Sequence, residues 1–452
     1  MSDTIAAVAT GGQIAAIGIL RLSGPESIAI ADRLFFPAEG GPMSAHESKT
    51  LVYGSLCDAE GNLLDLCLCT CSRAPRSYTG EDTVEFQCHG SPVVLRAVLE
   101  SCFALGARQA GPGEFTKRAF LNGCLELTAA EAVADLIEAE SVESARNAAG
   151  QLSGAIAVRI NGIYLSLEDV SAHYHAVLDY PDEDIEDFEL AAYRSVFDDA
   201  HDSLQRLLDS YSRGKLLNAG LPAAIIGRPN VGKSSLLNAL LGYDRAIVTA
   251  VPGTTRDTIE EKLRIGGLVL RLMDTAGLRE SDDVVEQLGV ERSRRAVEQA
   301  ELVLAVIDGS EALTDEDREI LQLAEAAPKA VVILSKTDLP QKITRLDTLL
   351  PQLTLSAATG EGLDELQRRI EELFPEPAVP AGEILTNARQ ADAIRRALAA
   401  VDAAEEAMSA GLTPDIVLTE TEGAMQALGE LTGRSIREDI TNRIFARFCV
   451  GK

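Results

Sequence analysis

The spacing of hydrophobic and polar residues changes along the chain. Over residues 1–120, stretches such as "AIGILRLSG" and "KTLVYGSL" alternate or run apolar as strands do, while "SPVVLRAVLESCFALG" repeats with a helical period. From 121 to 218 the sequence is rich in Ala, Leu and Glu at helical spacing. These patterns predict a compact α+β domain followed by a helical region.

Strand-like and helix-like stretches alternate between residues 219 and 377, as in "LPAAIIG", "SSLLNALLG", "ELVLAVIDG" and "KAVVILS". Such alternation predicts a mostly parallel sheet with helices on both faces. The Pro-rich "PEPAVPAG" then leads into helical sequence. We therefore predict a multidomain α+β and α/β protein, in which an α/β module (219–377) is inserted into a discontinuous helical domain (121–218 and 378–452) that follows the N-terminal domain (1–120).

Composition limits the class of protein. A chain of 452 residues, 46% hydrophobic and 25% charged, fits a soluble protein of several domains. It has no apolar run near the roughly 20 residues that span a bilayer and no signal-like N-terminus, so we expect a cytoplasmic protein whose eight cysteines are reduced. The net charge of −29 argues against broad adhesion to nucleic acid, so any RNA contact must be local or shared with a partner.

A phosphate-binding motif opens the α/β module. "GRPNVGKSS" fits G-x-x-x-x-G-K-[ST] from Gly227 to Ser234, directly after an apolar strand and before a helix. The glycines let backbone N–H groups curl around phosphate oxygens, Lys233 reaches the outer phosphates, and the Ser234 hydroxyl suits Mg²⁺. Further along, "VPGTTRD" supplies Thr255, which can close over the γ-phosphate and the metal, and "DTAGLRE" supplies Asp274, which can hold Mg²⁺ through water.

A guanine-binding pair of motifs completes the set. "SKTD" ends an apolar strand, where Asp338 would accept two hydrogen bonds from guanine, and "SAATG" offers a backbone N–H from Ser356 onward. Ser335 stands where an asparagine is usual, whose amide bridges the base and the phosphate loop. We expect serine to be too short to make the same contacts, and hence to weaken guanine affinity. GTP is favoured over ATP. The predicted nucleotide contacts are Asn230, Val231, Gly232, Lys233, Ser234, Ser235, Thr249, Ala250, Val251, Pro252, Gly253, Thr254, Thr255, Asp274, Thr275, Ala276, Gly277, Ser335, Lys336, Asp338, Ser356 and Ala357.

One catalytic group is missing from these motifs. Ras-type GTP hydrolases place a water-orienting glutamine where this chain has Leu278. With that leucine, "GRPNVGKSSLLNAL", "VPGTTRDTIEE", "EQLGVERS" and the terminal "FCVGK" resemble the MnmE/TrmE family, and the resemblance extends over the whole chain through "YTGEDTVEFQCHG" and "GEFTKRAFLNG". It implies a Ras-like P-loop G domain, a helical domain and an N-terminal domain similar to tetrahydrofolate-binding domains.

The resemblance also implies how GTP is hydrolysed. Two G domains meet face to face, and a K⁺ ion supplies the positive charge that an arginine supplies elsewhere. Glu286 would orient the water, with Lys233 and Thr255 as the other catalytic residues and Mg²⁺ held by Ser234 and Thr255. From the residues alone, a solvated acid at a helix start is the simpler interpretation of Glu286. The implied K⁺ ligands are Asn230, Thr249, Val251 and Thr254.

The N-terminal domain of the family dimerises and binds a folate-borne one-carbon unit. Arg21 and Glu85 match folate-contacting positions, although a surface ion pair would look the same. Cys124 replaces a common lysine, which puts folate affinity in doubt. The terminal Lys452 is implied near the folate, and Cys449 is implied to be functionally required.

The resemblance therefore implies a homodimeric, potassium-stimulated GTPase. It would work with an FAD-dependent MnmG-like partner, using GTP, Mg²⁺, K⁺ and a tetrahydrofolate derivative, to install a (carboxymethyl)aminomethyl group at C5 of wobble uridine in tRNA. One alternative is an Era-like ribosome-assembly GTPase. Another is a self-sufficient aminomethyl transferase regulated by its GTPase activity.

Two further patterns leave alternatives open. "CLCTC" puts Cys67, Cys69 and Cys71 on one strand face, which favours core packing over a metal site, although Cys88-His89 nearby keeps the metal alternative. Near the C-terminus, apolar residues at i, i+4 spacing predict a helix with one buried face, and arginines lie between them. The arginines suit either tRNA contact or a solvated helix face. The apolar residues are Ile436, Ile440, Ile444 and Phe448, and the arginines are Arg434, Arg437, Arg443 and Arg447.

Overall fold

The computed structural model describes residues 3–179, 190–243, 261–265, 267–273, 294–375, 379–434, 444–446 and 448–451. The chain forms two compact units. The first unit comprises Met1–Ile137, Ala149–Ala200 and Arg396–Lys452, and the second comprises Glu138–Ala148 and His201–Arg395.

A seven-stranded sheet organises the N-terminal part of the first unit, in the order β3-β4-β5-β6-β2-β1-β7. All its pairs are antiparallel except β1 with β7. Alternation along the strands sends one set of side chains into the core, such as Leu20, Leu22 and Phe86. The strands are β1 (Ile5–Val8), β2 (Ala15–Ser23), β3 (Phe35–Pro37), β4 (Val52–Cys57), β5 (Leu63–Ser72), β6 (Thr83–Gly90) and β7 (Arg108–Gln109).

Helices cover the buried face of this sheet. Ile30 and Leu34 of one helix and Leu95 and Val98 of another lie in the same hydrophobic cluster as the inward side chains of the strands. The predicted α+β character of this region is therefore confirmed. The helices are α1 (Ser27–Leu34), α2 (Pro92–Ala104) and α3 (Glu114–Leu121), with a 3₁₀ turn at Met43–Ala45.

The opposite face of the sheet carries exposed apolar side chains. Phe36, Tyr53 and Leu66 are each about half exposed, at 51%, 55% and 47%. The register pairs Tyr53 with Leu68 and Ser55 with both Phe36 and Leu66, so these side chains share one face. Isolated exposed apolar residues are ordinary, but a contiguous set on one sheet face is typical of an interaction surface.

Long helices follow, as the helical spacing after residue 121 predicts. Helix α6 (Ala155–Asp179) and helix α12 (Pro414–Thr432) pack along each other in the first unit. The helices before the second sheet are α4 (Leu127–Glu138), α5 (Val142–Leu152), α6 (Ala155–Asp179) and α7 (Leu190–Ala219). Those after it, in chain order, are α11 (Ala388–Ser409) and α12 (Pro414–Thr432).

The C-terminal residues pack back onto the first unit. Phe445 and Phe448 lie in a cluster with Ala130 and Val133 of α4. Val450 forms a β-bridge with Pro112. Gly451 has a positive φ of 100°, and a Cβ there would lie 2.4 Å from the carbonyl oxygen of Val8, so only glycine fits.

A six-stranded sheet lies at the centre of the second unit, in the order β13-β12-β11-β8-β10-β9. Its pairs are parallel except for the edge strand β9. Parallel pairing gathers the carboxyl ends of the strands at one edge, which is where ligands of open α/β sheets bind. The strands are β8 (Leu221–Ile226), β9 (Glu261–Ile265), β10 (Leu268–Leu272), β11 (Leu302–Asp308), β12 (Ala330–Ser335) and β13 (Gln352–Thr354).

Both faces of this sheet are covered, as the continuous apolar runs predict. Along β11, Leu304 packs with one cluster that includes Leu237, whereas Ala305 packs with a second cluster that includes Ile320. The prediction of a mostly parallel sheet between helical layers is confirmed. The helices here are α8 (Lys233–Tyr243), α9 (Asp315–Glu325) and α10 (Leu363–Leu373), with a further helical segment over 294–299.

Among the residues that the structure describes, none of the helices combines the length and apolar character needed to cross a membrane. The predicted domain boundaries at residues 120, 218 and 377 stay predictions.

Candidate active site

The loop between β8 and α8 has the backbone shape that its motif predicts. Asn230 and Gly232 take left-handed conformations, with φ of 60° and 103°, which glycine adopts freely and asparagine tolerates. A Cβ on Gly227 would lie 2.5 Å from the carbonyl oxygen of Val306, so β11 closes the loop from behind. Val231 is fully buried while Asn230 is exposed, so the asparagine side chain is accessible to a ligand.

Lys233 turns back into this loop. Its ammonium donates hydrogen bonds to the carbonyl oxygens of Gly227 and Arg228, at 2.7 and 2.8 Å. Burial lowers the pKa of Lys233, because the charged form has lost part of its hydration. The lysine is thus held within the curve of the loop, where phosphate oxygens would meet it.

The side chain of Arg228 pairs with two acids outside the phosphate loop. Its guanidinium contacts Asp317 (3.2 Å) and Glu311 (2.5 Å). Asp317 is nearly fully buried and also forms the capping box at the start of α9 with Thr314. This clamp fixes one side of the loop to α9, a role that the sequence motif does not specify.

Ser335 corrects one of our predictions. We expected serine to be too short for the contacts of the usual asparagine, but its hydroxyl does reach the phosphate loop, 2.6 Å from the carbonyl oxygen of Val231, and lies 3.1 Å from that of Ile307. The weaker guanine affinity stays a prediction. The close approach of β12 to the loop at Gly232 makes this possible, since a Cβ at that glycine would lie 3.9 Å from the Ser335 hydroxyl oxygen. The contact to the phosphate loop is therefore kept.

This contact gives a measurable prediction. Changing Ser335 to Ala removes a hydrogen bond that holds the loop, which typically contributes about 0.5–1.5 kcal/mol. We expect guanine nucleotide affinity to fall roughly two- to tenfold, measured by titration with a fluorescent GDP analogue. Ser335→Asn, which restores an amide donor, should bind at least as tightly as the native protein. Equal dissociation constants for the native protein and Ser335→Ala would contradict the assignment.

The predicted guanine-binding motif that follows β12 lies two strands away from the phosphate loop, at the same edge of the sheet. Asp338 accepts a hydrogen bond from the Ser356 hydroxyl at 2.7 Å, so the two guanine-binding motifs meet as predicted. The Ser356 backbone N–H, however, donates to the carbonyl oxygen of Glu361 at 3.0 Å. It is therefore not the N–H that the sequence predicts for the guanine carbonyl, and Ala357 is left as the predicted donor.

Asp308 is a buried acid at this edge of the sheet that our sequence analysis did not single out. It ends β11, is nearly fully buried, and pairs with Lys336 at 2.6 Å. Burial alone would raise the pKa of Asp308, but hydrogen bonds from Lys336 and Ser310 outweigh it and lower that pKa. Its position at the end of a buried strand between two recognised motifs was the signal available in the sequence.

Many predicted nucleotide contacts lie outside the described residues. They are Thr249, Ala250, Val251, Pro252, Gly253, Thr254, Thr255, Asp274, Thr275, Ala276 and Gly277, together with Leu278 and Glu286.

The two predicted folate contacts of the first unit lie together. Arg21 on β2 and Glu85 on β6 face each other across the strands, and Nε donates to Oε1 at 2.7 Å. Their side chains are 19% and 28% exposed, and the guanidinium lies over the rings of Tyr78 and Phe115 at 5.5 and 5.7 Å. The ion pair is therefore partly enclosed, with the guanidinium packed over two aromatic rings, and differs from a freely solvated surface ion pair.

A buried arginine holds the neighbouring loop in place. Arg118 of α3 donates to Glu81 at 2.9 Å and to Asp3 at 2.7 Å, while Ser23 binds both Glu81 and Thr79. These contacts fix the segment that carries Tyr78. Arg118 lay unnoticed within "GEFTKRAFLNG", because the sequence does not reveal that it is buried.

The remaining predicted residues of the first unit are partly described. Cys124 is exposed, and its Sγ lies against Gly80, where a Cβ would approach it to 2.9 Å. Cys449 is also exposed, while its carbonyl oxygen accepts from the Gly113 N–H at 3.3 Å. Lys452 lies outside the described residues.

Cys67, Cys69 and Cys71 are all buried in the core of the first sheet, as core packing predicts. Arg434, one of the arginines considered for tRNA contact, lies with its guanidinium 4.5 Å from the ring centroid of Tyr164. Arg437, Arg443 and Arg447 lie outside the described residues.

Comparisons with known proteins cover the whole chain. A family model described as the MnmE helical domain matches residues 127–449, and one described as the N-terminus of the GTP-binding protein TrmE matches residues 4–124. The tRNA modification GTPase MnmE of Streptococcus sanguinis is 42% identical over 457 residues, covering 100% of this chain and 99% of that protein. MnmE of Symbiobacterium thermophilum is 43% identical with the same coverage.

Among solved structures, Era of Aquifex aeolicus bound to GDP and AlF₄⁻ is 32% identical and covers 41% of this chain and 66% of that chain, with a TM-score of 0.26. The family models and the full-length relatives agree with the predicted resemblance. The chain belongs to the MnmE family of tRNA modification GTPases.

Proposed function

We propose that this protein hydrolyses GTP and that the hydrolysis serves the modification of tRNA. One observation carries the GTPase part: the carboxyl ends of β8 and β12, on either side of β11, bring Lys233 and Asp338 to the same sheet edge. Neighbouring strands lie about 4.8 Å apart, so these groups are spaced to meet the phosphates and the base of one nucleotide. The full-length MnmE relatives support the tRNA part.

The phosphate loop suits a nucleotide with Mg²⁺. The tight curve at Gly227 and the left-handed turns at Asn230 and Gly232 expose backbone N–H groups to an anion. Ser234, in the first turn of α8, would hold Mg²⁺ together with Thr255, and the ion would neutralise charge on the phosphates. Ala357 would donate its N–H to the guanine carbonyl beside Asp338.

K⁺ would take the place of an arginine finger. Asn230 would be one ligand, and its exposed side chain at a left-handed turn supports this role. Thr249, Val251 and Thr254 would complete the shell, and Glu286 would orient the attacking water when two G domains pair.

The first unit would bind a tetrahydrofolate derivative in a homodimer. The Arg21–Glu85 pair is hydrogen-bonded and sits on aromatic rings, which suits a flat heterocycle with a charged tail. The exposed apolar face around Phe36, Tyr53 and Leu66 would meet the second copy. The domain boundaries at 120, 218 and 377 belong to the same proposal.

With an FAD-dependent MnmG-like partner, the protein would install the (carboxymethyl)aminomethyl group at C5 of wobble uridine. An Era-like ribosome-assembly role is less supported, because the full-length relatives are MnmE proteins and the MnmE helical model matches residues 127–449. A self-sufficient aminomethyl transferase would form modified uridine without the flavoprotein.

Two measurements on the purified protein test this proposal. GTP turnover should be clearly faster in potassium than in sodium buffer, because the proposed mechanism relies on a K⁺ ion to stabilise the charge that develops on the phosphates. Modified uridine should form in tRNA only when the flavoprotein partner is present. Equal GTP turnover in the potassium and sodium buffers would contradict the proposed role of K⁺. Modification without the partner would favour the self-sufficient enzyme.

A further inference from the structure

Two thiols and a carboxylate gather at one end of β5 and β6 in the first unit. One ligand atom from each of Asp65, Cys67 and Cys88 lies within 4.8 Å of the others. Asp65 and Cys67 share a face of β5 because side chains alternate along a strand. Cys88 joins them from the neighbouring strand, since the register pairs Leu68 with Gln87.

The cluster is shielded from water. Cys67 and Cys88 are 5% and 2% exposed, and the side chain of Asp65 is 9% exposed. Placing a carboxylate beside two buried sulfur atoms is an uncommon way to fill a core, because a charged group is costly to bury without a counter-charge.

Asp65 is held in one orientation and still has capacity to bind. Its Oδ1 accepts from the Leu66 N–H and from Nδ1 of His89, and its Oδ2 accepts from the His89 N–H, each at 2.8 Å. A carboxylate offers about four lone-pair positions, so one on Oδ2 is left. An imidazole hydrogen-bonded to a carboxylate is a recurrent way to orient a metal ligand.

We propose that Asp65, Cys67 and Cys88 bind a thiophilic divalent cation such as Zn²⁺. Two thiolates and a carboxylate are ligands that zinc accepts in tetrahedral sites, and three protein ligands leave the fourth position for water. Binding displaces both thiol protons to solvent, and the resulting charge of −3 from the ligands is largely balanced by the ion. His89, with its ring 75% exposed, lies at the solvent side of the cluster.

This site differs from the one considered in the sequence. Of the three cysteines of β5, only Cys67 belongs to the cluster, and the sulfur atoms of Cys69 and Cys71 do not join it. The cross-strand partner Cys88 supplies the second sulfur instead.

Co²⁺ titration of the full-length chain tests the site. The exposed thiols Cys124 and Cys449 are first changed to serine, so that they cannot bind metal adventitiously. We expect one Co²⁺ per chain with a thiolate charge-transfer band, displaced by Zn²⁺, and an affinity that rises with pH because protons are released. Adding Cys88→Ser or Asp65→Asn should weaken binding more than tenfold, and His89→Ala about 10- to 100-fold.

Cys102→Ser is the matched control, because Cys102 is equally buried in the same core but lies outside the cluster. Circular dichroism verifies that each variant is folded. The proposal fails if the protein with Cys124 and Cys449 changed to serine binds no more Co²⁺ than the same protein with Cys88→Ser added. It also fails if adding Cys102→Ser reduces Co²⁺ binding as much as Cys88→Ser does. It also fails if mass spectrometry finds Cys67 and Cys88 joined as a disulfide in protein purified under reducing conditions.

Discussion

Replacing Lys233 by alanine is expected to slow GTP hydrolysis by roughly 10²- to 10³-fold, the usual loss when a charge-stabilising group is removed from a transition state. The ammonium already lies inside the phosphate loop, bonded to the carbonyl oxygens of Gly227 and Arg228. No other cation of the motif is placed to substitute for it, since Arg228 is directed to Glu311 and Asp317. Single-turnover hydrolysis of labelled GTP measures the effect.

A second lysine provides the control. Lys215 in α7 is 58% exposed and pairs with Glu301 at 3.6 Å, so Lys215→Ala should leave turnover unchanged. Lys233→Arg keeps the charge but changes the shape, and we expect it to be nearly as slow as Lys233→Ala. Turnover within a few-fold of native for Lys233→Ala would show that this loop does not serve catalysis.

Changing Glu286 to alanine is expected to reduce the GTP turnover number by about 10²- to 10⁴-fold, the range for loss of a group that positions or activates water. Leu278 cannot orient a water molecule, so this task falls to another polar side chain. Nucleotide binding should be retained, because the proposed role of Glu286 concerns the water and not the base or the phosphates. Parallel measurements of the dissociation constant for GDP and of turnover in potassium buffer separate the two effects.

Glu291→Ala serves as the matched control, since it removes another carboxylate of the same acidic stretch. If both variants lose activity equally, the general charge of the stretch matters and Glu286 has no special role. If Glu286→Ala also abolishes GDP binding, the residue supports the nucleotide site rather than the water.

The sequence predicted what depends on local pattern. The turn at Gly227–Ser234 and the buried strands before it follow from motif spacing and apolar runs, and the structure contains them. The meeting of Asp338 with Ser356 also followed, because strand ends of a parallel sheet share an edge.

What the sequence could not supply depends on distances between strands. Ser335 reaches Val231 only because β12 and the phosphate loop approach closely, and spacing along the chain carries no information about that gap. The pairing of Cys67 with Cys88 likewise depends on strand register, which a period-two pattern on a single strand leaves undetermined. Arg118 is held by Glu81 and Asp3, which lie 37 and 115 positions earlier in the chain. No local sequence pattern reveals contacts over such separations.

The docking of the last residues has a practical consequence for how the protein is handled. Val450 is bridged to Pro112 and Gly451 packs against Val8 of the β1 strand, so a purification tag fused after Lys452 would begin two residues beyond this packed glycine. A tag at that end would begin four residues after the exposed Cys449 thiol. Preparations intended for ligand titration or thiol labelling are therefore best made with a tag that is removed before use.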